Sequence, residues 1–156
     1  MLSVRLLAIG KAKGSWAKDA GDHYAKLLKR HCRLQIVEFP EVKASPDGSV
    51  AAIRKAETER LFDRAKSDRI FAFDRCGSAR SSEEYADLLS RTMTGGAGSL
   101  DLIIGGSYGL WPAALEKADE VLSLSYLTLS HQVARVVVLE QLYRAFSIFA
   151  GSAYHK

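Results

Sequence analysis

The chain has 156 residues, 47% hydrophobic and 26% charged, proportions typical of one soluble domain with a real core. Its 22 basic and 18 acidic residues leave a formal charge of +4, which permits a nucleic-acid partner without requiring one. Cys32 and Cys76 are too few for a disulfide scaffold and lack zinc-site spacing, so we expect reduced thiols in a cytoplasmic protein without a metal. No apolar run is long enough to span a bilayer, and the N-terminus lacks the pattern of a secretory signal, so we expect no membrane partner.

Short apolar segments bounded by turn residues predict five β-strands. They are Leu2–Ile9, Leu34–Phe39, Arg69–Phe73, Leu100–Ile104 and Val121–Leu124. Helical spacing of apolar residues predicts the helices between and after them. They are Trp16–Arg30, Val50–Ala65, a helix from Ser81 or Ser82 to Thr94 with a Ser81–Glu84 capping box, a short helix over Pro112–Asp119, and Gln132–Ala150. This alternation predicts an α/β fold with a mostly parallel sheet and helices on both faces.

We expect residues 1–156 to form a single domain. The loop Glu41–Ser49 contains Pro46, Asp47 and Gly48, a turn-rich composition that predicts mobility. It is not a domain boundary, because neither side of it is large enough to fold alone.

The basic segment Gly10–Ser15, GKAKGS, invites comparison with a phosphate-binding loop. Its glycines match neither GxxxxGK[ST] nor the dinucleotide fingerprint GxGxxG. An exposed basic loop is the simpler interpretation, and contact of Lys11 or Lys13 with a phosphate is the alternative.

The segment Leu102–Leu110, LIIGGSYGL, predicts a buried strand that runs into a turn at Gly105, Gly106 and Gly109. Paired glycines after apolar β-formers suit a strand that ends where a ligand or another backbone comes close. Ligands of open α/β sheets bind beyond the carboxyl ends of the strands. The turn is therefore a candidate ligand site, with an ordinary connection between strand and helix as the alternative.

The last helix is apolar nearly all round, which predicts burial on nearly all sides. In a small domain, one flank against the sheet and another against a second subunit would achieve this, and it predicts a homodimer. Burial entirely within one chain is the alternative. Glu140 and Arg144 have the spacing of a supporting ion pair, whereas nothing nearby in the sequence neutralises His131 and Arg135.

Together, IGGSYGL, the LTLSH loop, the helix RVVVLEQLYRAFSI, the terminal AYHK and the LLAIGK start resemble the RlmH family of SPOUT methyltransferases, over essentially the whole chain. The resemblance implies an α/β fold with a C-terminal trefoil knot, a feature that pattern and spacing do not reveal. It also implies a homodimer that uses S-adenosyl-L-methionine to methylate N3 of a pseudouridine in 23S ribosomal RNA of the large subunit. Because a small, weakly basic domain has limited surface for reading a long RNA, we expect the assembled ribosome as the substrate, with free RNA or a subunit as the alternatives.

The resemblance also places the cofactor-binding residues. By motif they are Phe73, Gly105, Gly106, Gly109, Ser125, Tyr126, Leu127, Thr128, Leu129 and Ser130. A loop with apolar side chains suits an adenine whose edge is read by backbone groups. Relatives often have proline at the position of Ser130, and its loss predicts a looser loop and altered affinity.

For such a reaction the weakly acidic N3 must lose a proton, which a neutral histidine or a nearby cation could assist. His131 is the first candidate for this role, with Arg135 as a phosphate or carbonyl anchor. Tyr154 and His155 match the terminal pair of the family and are expected to line the RNA site, across the dimer. A purely structural hydrogen bond is the alternative for His131. A non-catalytic RNA-binding or ribosome-associated module is the rival function, and a small-molecule methyltransferase is a weaker third.

Overall fold

The computed structural model describes residues 1–43 and 48–154. Its strands are β1 (Ser3–Ile9), β2 (Arg33–Phe39), β3 (Arg69–Ala79), β4 (Ser99–Ile104) and β5 (Glu120–Ser123). Its helices are α1 (Ser15–Leu28), α2 (Val50–Arg64), α3 (Ser82–Thr94), a short 3₁₀ helix (Pro112–Lys117) and α4 (His131–Phe149). The expected mobility of the loop around Pro46 and Asp47 concerns positions outside the described residues.

The strands form one sheet in the order β2-β1-β4-β3-β5, and each neighbouring pair is parallel. The central strands β1 and β4 are buried along almost their whole length, as apolar strands covered on both faces should be. The predicted α/β fold with a parallel sheet is therefore confirmed.

Two hydrophobic cores lie on opposite faces of the sheet, because successive strand residues point to opposite sides. Leu6 and Leu102 belong to the core under α1, α3 and α4. Leu7 and Ile103 belong to the core under α2 and the 3₁₀ helix. Helices thus cover both faces. Because the strands are parallel, their carboxyl ends all lie at one edge of the sheet.

Strand β3 is longer than the sequence predicted. After Phe73 its regular pairing with β5 is interrupted, and it resumes where Ser78 lies opposite Leu122 and Ala79 opposite Ser123. The segment Asp74–Gly77 has turn-forming residues, so sequence alone placed the end of the strand at Phe73. The extension depends on pairing with a strand some forty positions later, a contact that local sequence does not encode.

The remaining differences lie at the ends of elements, where sequence patterns are least informative. Helix α1 ends at Leu28 instead of Arg30, and the helix that begins at Pro112 is a 3₁₀ helix that ends at Lys117. The capping box of α3 is confirmed, since Ser81 and Glu84 each accept a hydrogen bond from the other's backbone N–H. Within residues 1–43 and 48–154, no helix is both long and apolar enough to cross a membrane.

Candidate active site at the carboxyl ends of the strands

Register places the predicted cofactor segments side by side. Phe73 lies opposite Ile104 on β4 and opposite Leu122 on β5. Gly105 follows Ile104 directly, and the loop that begins at Leu124 follows β5. The glycine turn and the 125–130 loop therefore leave β4 and β5 at the same edge of the sheet. Phe73 lies on β3 between them, where the pairing of β3 with β4 ends, and α/β proteins bind ligands at this edge.

The turn after β4 requires glycine at particular positions. A Cβ on Gly105 would lie 2.8 Å from the carbonyl carbon of Gly109, closer than real Cβ contacts allow. Gly109 has φ +76°, a left-handed conformation that side chains disfavour, and its N–H donates to the Gly106 carbonyl at 3.0 Å. These glycines keep the turn tight, with Gly105 buried and Gly106 and Gly109 half-buried.

A buried carboxyl group lies against this turn. Glu57 of α2 is only 3% exposed, and one of its oxygens, Oε1, accepts a hydrogen bond from the Val42 N–H at 3.0 Å. Its other oxygen, Oε2, has no partner among the described residues and would lie 2.6 Å from a Cβ on Gly106. Burial is the main cause that raises the pKa of Glu57. Sequence reasoning missed this residue, because its charge gives no sign that it lies in the interior.

His131 is the first residue of α4 and is half-buried beside the turn. Its Nδ1 lies 3.5 Å from the hydroxyl of Ser107, and its Nε2 lies 3.1 Å from the amide nitrogen of Gln132. Burial lowers the pKa of His131, and the neighbouring charge of Arg135 lowers it further. The neutral imidazole is thus the form favoured near neutral pH, and it can accept a proton.

A residue far away in the sequence neutralises Arg135. Its guanidinium, which is 6% exposed, pairs with Glu38 of β2 at 2.9 Å. It also donates hydrogen bonds to the carbonyls of Ile9 and Gly10 at the end of β1. Sequence could not reveal this pair, because Glu38 is 97 positions away. In the described residues, Arg135 joins α4 to two strand ends instead of pointing into solvent.

The basic loop 10–14 is fastened to the start of α4. The Gln132 amide donates to the carbonyl of Lys11 at 2.9 Å and accepts from the N–H of Lys13 at 3.3 Å. The N–H of Ala12 donates to Glu38 at 2.6 Å. The side chains of both lysines are exposed, as predicted, and the loop lies next to His131. Nothing in the sequence indicated that Gln132 holds this loop against α4.

The loop after β5 presents its apolar side chains to solvent. Tyr126 and Leu127 are 95% and 75% exposed, and the backbone of the loop turns around the Ser125 hydroxyl, which accepts from the Leu127 N–H at 2.9 Å. Ser130 ends the loop as the N-cap of α4, because its hydroxyl accepts from the Val133 N–H at 3.3 Å. A proline at this position has no side chain that could cap the helix.

A cavity of about 200 Å³ lies behind this loop, where β3, β5, α3 and α4 meet. Phe73 and Leu124 line it, both from segments assigned to the cofactor, and Val137 and Tyr85 contribute from the helices. The hydroxyl of Tyr85 is buried without a hydrogen-bond partner in the described part of the chain. The lining is mixed, because Arg80, Gln141 and three serines face the same cavity, and Nε of Arg80 is also buried without a partner in the described residues. Apolar and polar walls together suit a flat, partly polar ring, and the volume is that of one ring system more than of a whole nucleotide.

Tyr154 lies at the other end of α4. Its hydroxyl is 3.3 Å from Glu140, and its ring packs on Tyr143 and under the Arg144 guanidinium, with burial as the main cause that raises its pKa to about 12. The predicted pair of Glu140 and Arg144 is confirmed at 2.6 Å. Nine helical positions separate Glu140 from His131, about 13 Å along the axis, so a single chain does not bring Tyr154 to the histidine. His155 lies outside the described residues.

No group of three or more histidine, cysteine or acidic side chains suited to a metal ion occurs among residues 1–43 and 48–154.

Solved structures share this architecture. A probable methylase family protein from Haemophilus influenzae Rd KW20 matches with a TM-score of 0.58 and 17% identity, over 100% of this chain and 72% of that one. A probable methyltransferase from Bordetella pertussis Tohama I matches with a TM-score of 0.56 and 18% identity, over 93% of this chain and 96% of that one. At such identities the likeness concerns the fold alone, and it places the chain in a class of α/β proteins with a parallel sheet covered on both faces.

Sequence comparison narrows the class. A family model described as "Predicted SPOUT methyltransferase" matches residues 2–155. Ribosomal RNA large subunit methyltransferase H of Limosilactobacillus reuteri (strain DSM 20016) is 39% identical over 99% of this chain and 100% of that protein. Putative ribosomal RNA large subunit methyltransferase H of Methanospirillum hungatei JF-1 is 40% identical over the full length of both. The chain belongs to the SPOUT methyltransferase family and, within it, to the RlmH family that its motifs resemble.

Proposed function

We propose that this protein uses S-adenosyl-L-methionine to methylate N3 of a pseudouridine in 23S ribosomal RNA. The observation that carries the proposal is the meeting of Phe73, the glycine turn and the loop after β5 at one edge of the sheet. Full-length similarity to ribosomal RNA large subunit methyltransferases supports the substrate class. The choice of pseudouridine and of N3 follows from the family resemblance.

The residues present fit the cofactor. The cavity offers an adenine ring the apolar side chains of Phe73 and Leu124, and the unsatisfied hydroxyl of Tyr85 offers its edge a hydrogen bond. The backbone of the half-buried Gly106 and Gly109 and of the 125–130 loop would hold the rest. When bound, S-adenosylmethionine supplies a methyl group that is already electrophilic.

The protein must then orient the base and accept the proton of N3. We assign the second task to His131, because it is half-buried next to the glycine turn and because burial lowers its pKa, which favours the neutral imidazole. Arg135 positions α4 against β1 and β2. Tyr154 and His155 are proposed to line the RNA site. Because of the distance along α4, Tyr154 would lie near the His131 of a second subunit and not near that of its own chain.

We propose that the protein is a homodimer for this reason and for a second one. Val133 and Phe149 of α4 are exposed, and Val136 and Ile148 are only half-buried. Helix α4 thus keeps apolar surface that α1, α3 and the sheet do not cover, as the sequence argument required. Sedimentation at micromolar protein concentration tests this directly: a species of one chain would contradict it.

Mass spectrometry of rRNA provides the main test. RNA from a strain without the gene should lack one methyl group on a large-subunit pseudouridine, and the restored gene should return it. A strain that carries His131→Asn should lack this methyl group, as the strain without the gene does. We propose the assembled ribosome as substrate, because a domain of 156 residues has little surface for reading a long RNA by itself. Free rRNA and intact 70S particles, offered in parallel, distinguish the two substrates.

Calorimetry separates this proposal from the rival function. A non-catalytic RNA-binding module on the same fold needs no cofactor, so it would bind neither S-adenosylmethionine nor S-adenosylhomocysteine. We expect both to bind, and we expect methyl transfer to depend on ribosomal RNA. Turnover on small molecules alone would favour the third possibility.

A further inference from the structure

The side-chain amide of Gln132 has only one orientation that satisfies its neighbours. Its nitrogen must donate to the Lys11 carbonyl, 2.9 Å away, because a carbonyl oxygen can only accept. Its oxygen must accept from the Lys13 N–H, 3.3 Å away. A reversed amide would place acceptor against acceptor and donor against donor. Two backbone groups therefore fix which end of the amide faces His131.

The fixed amide in turn decides where His131 carries its proton. The amide nitrogen of Gln132 lies 3.1 Å from Nε2 of the imidazole and has a second N–H to donate. Nε2 must therefore accept, which leaves the proton of the neutral ring on Nδ1. The Nδ1–H then faces the Ser107 hydroxyl, 3.5 Å away, on the glycine turn.

We propose that Gln132 is a positioning residue that holds His131 as the neutral Nδ1–H tautomer, with Nε2 as the atom that accepts the proton from the RNA base. The inference deepens the proposed function and depends on it for the identity of the base. The N–H of Gln132 occupies the lone pair into which N3–H of the pseudouridine would donate, so the substrate takes the place of the amide. In that step the N3–H bond breaks, an Nε2–H bond forms, and His131 becomes an imidazolium that later loses a proton to solvent.

The same amide links the histidine to the basic loop. Lys11 and Lys13 present exposed ammonium groups, while their backbone holds Gln132 in place. The loop whose lysines could contact RNA phosphate and the side chain that orients the imidazole are therefore joined by two hydrogen bonds.

Several charges face the imidazole and bear on its titration. Arg135 on α4 and Lys13 on the basic loop disfavour the imidazolium, and Glu41, which follows β2, favours it. The glycine turn contributes the neutral hydroxyl of Ser107. A carboxylate in place of the Gln132 amide would add a second acidic group at Nε2 itself.

Nitrogen-15 NMR of the full-length protein with labelled histidine tests the tautomer without any need for activity. His131→Asn identifies the signals. In wild type, Nδ1 should show the shift of a protonated nitrogen and Nε2 that of an unprotonated one. Gln132→Glu should reverse the two, because a carboxylate accepts from Nε2–H, and Gln132→Leu should leave a mixture. Gln35→Glu on β2, the same change at an exposed position, should leave wild-type shifts.

The pH profile of methylation provides the second measurement. Gln132→Glu should move the acidic limb to higher pH by about one unit, a tenfold change in proton affinity, whereas Gln35→Glu should leave it in place. A wild-type ring protonated on Nε2, or a tautomer that neither Gln132 variant changes, would overturn the inference. If wild type methylates no RNA, the proposed function fails instead, while the NMR result still decides the role of Gln132.

Discussion

The main chain of Leu122 fills the space in which a side chain on Gly77 would lie. A Cβ on Gly77 would be 2.7 Å from the Leu122 nitrogen and 2.6 Å from its carbonyl carbon. These contacts are with backbone, which cannot rotate away as a flexible side chain does. The extended part of β3 therefore crosses β5 at a distance that only glycine permits.

Gly77→Ala should consequently lower the free energy of unfolding by about 2–3 kcal/mol, the usual cost of overpacking a tight interior. A urea titration measures it. Gly21→Ala is the matched control, since Gly21 lies in the middle of α1 with nothing within 4 Å of a new Cβ. That variant should be more stable by about 0.5–1 kcal/mol. Equal effects at both positions would show that the close crossing does not constrain the fold.

Arg135→Met tests whether the arginine holds the fold or anchors RNA. It removes the hydrogen bonds to Ile9, Gly10 and Glu38 and leaves buried carbonyls without donors. We expect the free energy of unfolding to fall by about 3 kcal/mol, as measured in urea. RNA affinity of the remaining folded protein, measured at low temperature, should change little. A stable variant with weak RNA binding would restore the role of anchor.

Val137→Phe tests the assignment of the cavity. The larger ring would occupy the space beside Phe73 and Leu124. Affinity for S-adenosylhomocysteine should fall at least tenfold by calorimetry, while the urea midpoint stays close to wild type because the cavity has room for the ring. Unchanged affinity in a folded variant would place the adenine elsewhere.

Replacement of Lys11 and Lys13 by alanine tests the basic loop. The double variant should bind ribosomal RNA more weakly and with a shallower dependence on salt, by about one to two units of the logarithmic slope. S-adenosylhomocysteine should bind as in wild type, because only the backbone of this loop contacts α4. A parallel loss of both affinities would indicate a folding defect. Replacement of Lys18 and Lys55 together by alanine, both on exposed helix surfaces, controls for the loss of two charges.

Stability should decline as the pH falls below about 6.5, the ordinary pKa of histidine. His31 stacks on Phe146 with the rings 9° from parallel, and burial, followed by the charge of Arg30, lowers its pKa in the folded state. The unfolded chain therefore takes up a proton at a pH where the folded chain does not, and protonation favours unfolding. His131 contributes with the same sign. Urea titrations at pH 5.5 and 7.5 should differ less in His31→Gln, and an unchanged difference would contradict the role of this ring.

The alternation of apolar strands and amphipathic helices was enough to predict the parallel sheet and both of its covered faces. Periodicity is a local property. Once a strand is predicted, neighbours such as Leu6 and Leu7, or Leu102 and Ile103, are known to lie on opposite faces of the sheet. The capping box at Ser81 and the pair of Glu140 and Arg144 were predictable for the same reason. The motifs that carry the resemblance predicted the family, which the comparisons confirm. The trefoil knot implied with it stays a prediction, as do the individual roles of the site residues.

What only tertiary structure decided are contacts between distant parts of the chain. The sequence presents Arg135 as a free cation, and the fold places Glu38 and the end of β1 around it. The sequence pattern predicts that β3 ends at Phe73, whereas pairing with β5 extends the strand to Ala79. It gives no sign that Gln132 touches both His131 and the basic loop. Local pattern determines which face of an element is apolar, but a buried charge or a fixed tautomer depends on groups that meet only after the chain has folded.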